Sequence, residues 1–408
     1  MTKIRIENLG PIVDSGIIEL TPLTLLMGPQ SAGKSSFMKV LCFCRWIEKK
    51  IMVSTTDLVN QYTHYGRFLK ELKQFHRLSD DFFSKNTRIT YESDILSITY
   101  AGEKNPKILR KKSFQTERYN TKLSYIPAER NLVAAIKNID KAYRSQERDV
   151  LFNLIYEWDE ARSHYTRENP YPLSVTGSFR YFNRNGEDSF LMENGKSFSA
   201  FYASSGLQSV MPLEVMSRYF LSLVGKRAEF SKYDYSAFIM EVLNAEGKTE
   251  TVNFIDEKSL DALRRRLNYQ SAQLFIEEPE QTLYPESQRL LLLSLIKALG
   301  IARKSGPQMS SIVMTTHSPY ILSVINVLFR ASDYYQKSNN SDLFEIVSED
   351  LLLSADCFSA YFINEGHFMS VLDSEIPMFS GNELDGVSDW VDERIAKLND
   401  LIYGKEEN

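Results

Sequence analysis

Of 408 residues, 43% are hydrophobic and 25% charged. That is the balance of a globular chain with a sizeable core, and it excludes a mainly disordered or collagen-like protein. The net charge is −5, from 48 Lys and Arg against 53 Asp and Glu, so a general basic coat for nucleic acid is excluded, although a local patch is not.

Three cysteines, Cys42, Cys44 and Cys357, cannot build a disulfide framework, and no CxxC or His/Cys cluster marks a zinc site. The opening MTKIRIENLG is too polar for a signal peptide. No apolar run approaches the ~18 residues of a spanning helix; the longest, Leu290–Leu299, is broken by Ser294 and Lys297. A cytoplasmic protein with no membrane partner is expected.

In chain order, Ile4–Leu9 alternates apolar and polar residues as a half-buried strand does, and Ile17–Leu20 can pair with it across a Gly/Pro-marked turn. Leu23–Met27 reads as a buried strand, ends in GPQSAGKSS, and is followed by a helix over Ser35–Lys49. Residues 55–80 read as helical, with Leu58, Tyr62, Tyr65, Leu69 and Leu72 on one face. Ile89–Tyr91, Ile95–Tyr100, Ile108–Leu109 and Leu123–Ile126 are β-rich pieces between turns. Residues 131–165 return to a helical pattern. Asn185-Gly186 and Asn194-Gly195 then mark hairpin turns between aromatic-rich strands. After ASSGLQS a helix runs to about Leu223. LFIEE over 272–277 is a second buried strand, 286–304 an amphipathic helix, Ile312–Thr315 a third buried strand, and 386–402 the last helix. Apolar strands alternating with helices around a phosphate-loop strand predict an α/β core with a largely parallel sheet.

Gly28-Pro29-Gln30-Ser31-Ala32-Gly33-Lys34-Ser35 matches GxxxxGK[ST] in full, with Ser36 following. Each element has a chemical reason. Gly28 and Gly33 let the backbone curl so that its N–H groups face phosphate oxygens. Lys34 offers a positive charge to the β- and γ-phosphates, and Ser35 a hydroxyl to Mg²⁺. The following helix aims its N-terminus at the anion.

The acidic strand end Leu274-Phe275-Ile276-Glu277-Glu278-Pro279-Glu280 can lie beside the phosphate-loop strand. Successive residues of a strand point to opposite sides, so Glu277 and Glu278 can take different roles, one holding the metal shell and the other orienting or deprotonating water. Ser204-Ser205-Gly206-Leu207-Gln208 starts a helix and suits either an anion contact or an ordinary N-cap. His317, in TTHSP, follows a strand where an imidazole can reach a phosphate or the lytic water; a lone histidine is also a common structural residue.

Taken in order, GPQSAGKSS, ASSGLQS, LFIEEPEQTLYP and VMTTHSPYIL make the chain resemble an ATPase of the ATP-binding-cassette type, in the SMC/RecF/OLD branch often described as AAA family ATPases. The resemblance runs from end to end. It implies an α/β phosphate-loop ATPase head with a mostly parallel core sheet, an antiparallel β subdomain and an inserted helical lobe. One discontinuous domain over 1–408 is expected: 1–130 with the phosphate loop and β-rich part, 131–225 with the helical lobe and signature, and 226–408 with the acidic motif, the histidine and the C-terminal part.

By the same resemblance, Lys34 and Ser35 bind ATP and Mg²⁺, Glu277 is the metal-side acid, Glu278 the catalytic base and His317 the switch histidine. Ser205 and Gly206 belong to a signature that contacts the nucleotide of an opposite subunit, which implies a homodimer or higher homo-oligomer. Arg130, in Tyr125-Ile126-Pro127-Ala128-Glu129-Arg130, falls to the nucleotide or the lobe interface. Tyr284 stands where relatives often carry His.

The phosphate loop and signature lie 169 residues apart, and the β-rich, turn-broken insert argues against long coiled-coil arms. Only 91 residues follow His317 and no Asp-x-Asp pair occurs, so no built-in nuclease is expected. Small ATPases of this shape serve prokaryotic anti-phage systems beside a separate nuclease or toxin effector. The alternatives are a slow-turnover, nucleotide-bound scaffold and a RecF-like DNA-repair ATPase. The stretch Lys107, Arg110, Lys111, Lys112, Arg118, Lys122, and likewise Arg264-Arg265-Arg266, reads as nucleic-acid contact or as a plain solvated face.

Overall fold

The computed structural model describes residues 2–54, 58–102, 105–115, 119–137, 139, 149–226, 268–373, 375–381 and 386–403. The chain opens with β1 (Lys3–Leu9), β2 (Ile12–Asp14), β3 (Ile18–Glu19) and β4 (Leu23–Met27), then helix α1 (Lys34–Val53). Two shorter helices, α2 (Leu58–Tyr62) and α3 (Arg67–His76), precede β5 (Phe83–Glu92), β6 (Leu96–Ala101), β7 (Lys107–Arg110) and β8 (Thr121–Ile126). A lobe follows with α4 (Leu132–Ala135), α5 (Val150–Arg162), β9 (Tyr171–Pro172), β10 (Phe179–Arg184), β11 (Glu187–Met192), β12 (Ser197–Ser199) and α6 (Ser205–Ser222). The remainder comprises β13 (Ser271–Glu277), α7 (Pro285–Ser305), β14 (Ser311–Thr316), α8 (Pro319–Ser338), β15 (Phe358–Asn364), β16 (His367–Ser370) and α9 (Gly386–Tyr403).

The fold is mixed α/β. Its core is a run of parallel strands in the order β15-β4-β14-β13-β8. β4, β13 and β14 are buried at every residue, as their unbroken apolar sequences require when helices cover a parallel sheet. α1 packs on β8, β13 and β14, and α6 and α7 also pack on β13. The sheet continues through antiparallel β16 into β2, β1, β5, β6 and β7, with β3 beside β1. There the pattern changes to alternation: Ile4, Ile6, Ile89 and Tyr91 face inward while their neighbours are exposed or half-buried. No long coiled coil occurs among the described residues, and no helix there is long and apolar enough to cross a membrane.

Two expectations are corrected. The helical stretch over 55–80 breaks at Tyr65 and Gly66, both left-handed (φ 56° and 65°), so Tyr65 is 99% exposed and Phe68 joins Leu72 in the core instead. Within 131–225, β9 to β12 form a four-stranded antiparallel sheet, and the expected hairpin turns fall where Asn-Gly marks them, with Asn185-Gly186 at φ 53° and 85° joining β10 to β11. In the basic stretch, Lys122 is buried and paired with Glu160 at 2.9 Å, so it belongs to the interior rather than a solvated face. Lys111 pairs with Glu92 at 2.6 Å. Arg118 and Arg264-Arg265-Arg266 lie outside the described residues. All three cysteines are buried, Cys42 and Cys44 as core thiols of α1.

Candidate functional site

Strand register builds the site. Met27 pairs with Thr316, Thr315 with Glu277, and Ile276 with Ile126. Because these strands are parallel and level, the segments that follow them emerge on one edge of the sheet: Gly28–Ser35, His317, Glu278 and Pro127–Arg130. That edge, beyond the carboxyl ends of parallel strands, is where open α/β sheets bind ligands.

In the phosphate loop, Gly28 has φ 141°, and a Cβ there would stand 2.3 Å from the Ile363 carbonyl oxygen. Gly33, at φ 108°, would press on Ile12 at 2.8 Å. Both positions therefore demand glycine. Pro29, Gln30 and Ser31 are exposed, and Ala32, Ser35 and Ser36 are half-buried. α1 starts at Lys34 with no side-chain cap, leaving its first N–H groups facing the loop. The Lys34 ammonium donates to the carbonyls of Gly28 at 2.8 Å and Pro29 at 2.6 Å. Burial lowers its pKa to about 8, opposed by the charges of Glu278 and Glu280.

On the acidic side, Glu277 is buried and accepts from the Tyr125 hydroxyl at 2.6 Å and the Ala128 N–H at 3.1 Å. Burial and the Glu277 charge push the Tyr125 phenol up, which keeps it the donor. Glu278 is the first residue past β13 and sits at φ 42°. Its N–H donates to the Thr315 carbonyl at 3.0 Å, and its carboxylate lies 3.4 Å from His317 Nε2. The His317 hydrogen bond leads in holding the Glu278 carboxyl below the usual range; the charges of His317, Lys34 and Arg130 add to it. Glu280 accepts from the His317 backbone N–H at 2.7 Å, so the acidic loop also fixes the histidine's own backbone.

The expected residues of the phosphate loop, Glu277, Glu278 and His317 thus share one edge. The acidic strand is not beside the phosphate-loop strand, however: β14 lies between β4 and β13, so His317, not Glu278, emerges from the strand next to Lys34. Ser205 is exposed at the start of α6, and its neighbour Ser204 caps the helix by accepting from the Leu207 N–H at 3.4 Å. A Cβ on Gly206 would meet the Thr282 carbonyl at 3.0 Å, so this turn packs on the loop after the acidic motif. No described hydrogen bond joins Ser205 or Gly206 to the phosphate loop of the same chain. Arg130 goes to the lobe interface: it is fully buried and donates to main-chain carbonyls of Glu277, Glu278 and Ser209. Glu280 was not singled out from the sequence; its signal was a third carboxylate in EEPE, which reads equally as a solvated turn.

No protein-family model matches the chain, and no curated protein matches it. Among solved structures, it is similar to an SMC head bound to the C-winged helix domain of ScpA. The identity is 8%, the match covers 91% of this chain and 97% of that one, and the TM-score is 0.36. It is similar to the SMC head domain from Thermotoga maritima (10% identity, 93% and 98% covered, TM-score 0.37). It is also similar to the ADP conformation of MJ1267, an ATP-binding cassette of an ABC transporter (9% identity, 95% of each chain covered, TM-score 0.32). The reading of the site rests on its own geometry.

Proposed function

We propose that the chain binds and hydrolyses ATP. The observation that carries this reading is the shared edge: a glycine-curled phosphate loop ending in Lys34 opens beside a Glu278–His317 pair 3.4 Å apart. A γ-phosphate between them would face an ammonium on one side and a carboxylate able to orient water on the other. Ser35 and Glu277 would hold Mg²⁺, which neutralises phosphate charge. The two Glu277 oxygens each accept one donor, and a carboxylate retains lone pairs for a hydrated cation.

In this reading Ser205 and Gly206 serve the nucleotide of a second copy, which accords with the exposure of Ser205 and with the absence of any described hydrogen bond from either residue to the chain's own loop. The chain is then a dimeric, ATP-gated switch, and as the ATPase subunit of an anti-phage complex it would control a separate nuclease or toxin in the cytoplasm. That last role is supported by the motif resemblance alone.

The test is turnover by the full chain with Mg-ATP. Glu278→Gln is expected to retain nucleotide while hydrolysis falls at least about 100-fold, and Lys34→Ala to lose both. Unchanged hydrolysis in either variant would sink the reading. Stoichiometric nucleotide with near-zero turnover in the unaltered protein would favour the scaffold instead.

A further inference from the structure

Arg130 stands where three segments meet, and its side chain is fully buried. Nη1 donates to the Glu277 carbonyl at 2.6 Å, Nη2 to the Glu278 carbonyl at 2.7 Å, and Nε to the Ser209 carbonyl at 3.1 Å. Nη1 also reaches the Pro127 carbonyl at 3.3 Å. A guanidinium presents its donors in a rigid planar fork, so these contacts hold the segments at one mutual spacing. Every acceptor is main chain. No carboxylate takes a described hydrogen bond from it; the charges of Glu280, Glu277 and Glu278 act at longer range, and burial brings its pKa down only to about 10, so it stays ionised.

The segments it joins matter. Ser209 lies four residues into α6 from Ser205, about one turn. Glu278 holds a left-handed φ of 42°, a conformation that costs a non-glycine residue and needs outside support. That support comes from two sides: β14 takes its N–H through the Thr315 carbonyl, and Arg130 takes its C=O. Through Glu280 the same loop grips the His317 backbone.

We propose that Arg130 is a positioning residue that makes the Glu278–His317 geometry depend on the seating of helix α6. A shift of α6 against β13 would move the Ser209 carbonyl, and the rigid fork would pass that displacement to the backbone of Glu278. The lobe that carries Ser205 is thereby coupled to the hydrolytic pair of its own chain through protein contacts alone. This rests on the reading of Glu278 and His317 given above, and adds how the lobe controls them.

The experiment compares the full chain with Arg130→Lys and Arg130→Gln, measuring ATP affinity and kcat separately. Lysine keeps the charge but concentrates its donors on one atom, so both variants are expected to lose at least about tenfold in kcat with affinity changed less than about threefold. A lysine variant with kcat near that of the unaltered protein would overturn the proposal in favour of a purely electrostatic role; affinity and kcat falling together would overturn it in favour of a nucleotide contact.

Hydrogen exchange on ligand-free protein provides a readout that does not need hydrolysis. In Arg130→Lys the amides of 276–281 and 208–213 should lose protection together by at least about tenfold, with β4 unchanged; loss in neither, or in one alone, contradicts the linkage. If the unaltered protein hydrolyses no ATP, the functional reading fails while exchange still judges the linkage. If neither variant folds, exchange of the unaltered chain with and without Mg-ATP decides: both segments changing together supports the linkage, and one changing without the other overturns it.

Discussion

Lys34 shows how much one buried charge governs this site. Its pKa falls from an ordinary 10.5 to about 8 because the ammonium is desolvated. Between those values the unfolded chain binds more protons than the folded one, so the ligand-free protein gains stability as pH rises from about 8 toward 10.5. A bound polyphosphate needs the opposite state, the ammonium. Nucleotide affinity is therefore predicted to be flat through neutral pH and to weaken above about pH 8; affinity constant across that window in the unaltered protein would contradict the charge assignment. Lys34, Ser35 and the loop glycines were legible because spacing alone encodes a backbone curl and a charge. Arg130 was legible only as a residue of interest: its partners are carbonyls, which every residue carries, so no pattern of residue types could announce them. Glu280 escaped for a related reason, since the group it holds is the backbone N–H of His317.

Helix α1 must be held firmly for its first turn to present the loop, and an interior polar network does this. Arg45 donates to Gln273 on β13 at 2.7 Å, to Glu48 at 2.9 Å and to the Tyr91 hydroxyl on β5 at 2.9 Å. Arg45 and Glu48 are both buried, so removing one leaves the other uncompensated. Glu48→Ala is predicted to cost about 3–5 kcal/mol in urea unfolding; a loss under about 1 kcal/mol would show that the pair relaxes into water. In the loop that leads into this helix, Gly28→Ala forces a Cβ against the Ile363 carbonyl at a backbone angle unfavourable to alanine. A stability loss of at least about 1–3 kcal/mol is predicted, together with lost nucleotide binding, read by the same unfolding curves and by titration. Strands β4, β13 and β14 were legible because continuous apolar runs have one stable home, between helices. The helix over 55–80 was over-read because apolar spacing continued through Gly66, where the backbone turns left-handed and ends the periodicity.

Over the whole molecule, the sheet brings together residues as far apart in sequence as Lys34 and His317, and this arrangement was only half legible. Alternating strands and helices announced the parallel core, but a strand's sequence does not name its neighbours. The interposition of β14 between β4 and β13 follows from pairing that no single run encodes. The lobe's antiparallel sheet was foreshadowed only at its turns, where Asn-Gly carries the signal that the short strands lack. One face of the molecule carries exposed Ser205 beside Tyr202, which is 73% exposed, and Tyr284, 76% exposed, stands in the loop that packs on Gly206. In the proposed ATP-gated dimer a second copy covers these groups and completes each site. The measurement that tests this most directly is the native mass of full-length Glu278→Gln, with and without Mg-ATP. A monomer that becomes a dimer only with nucleotide bound is the predicted result; a monomer that binds ATP and keeps its mass would contradict the shared site.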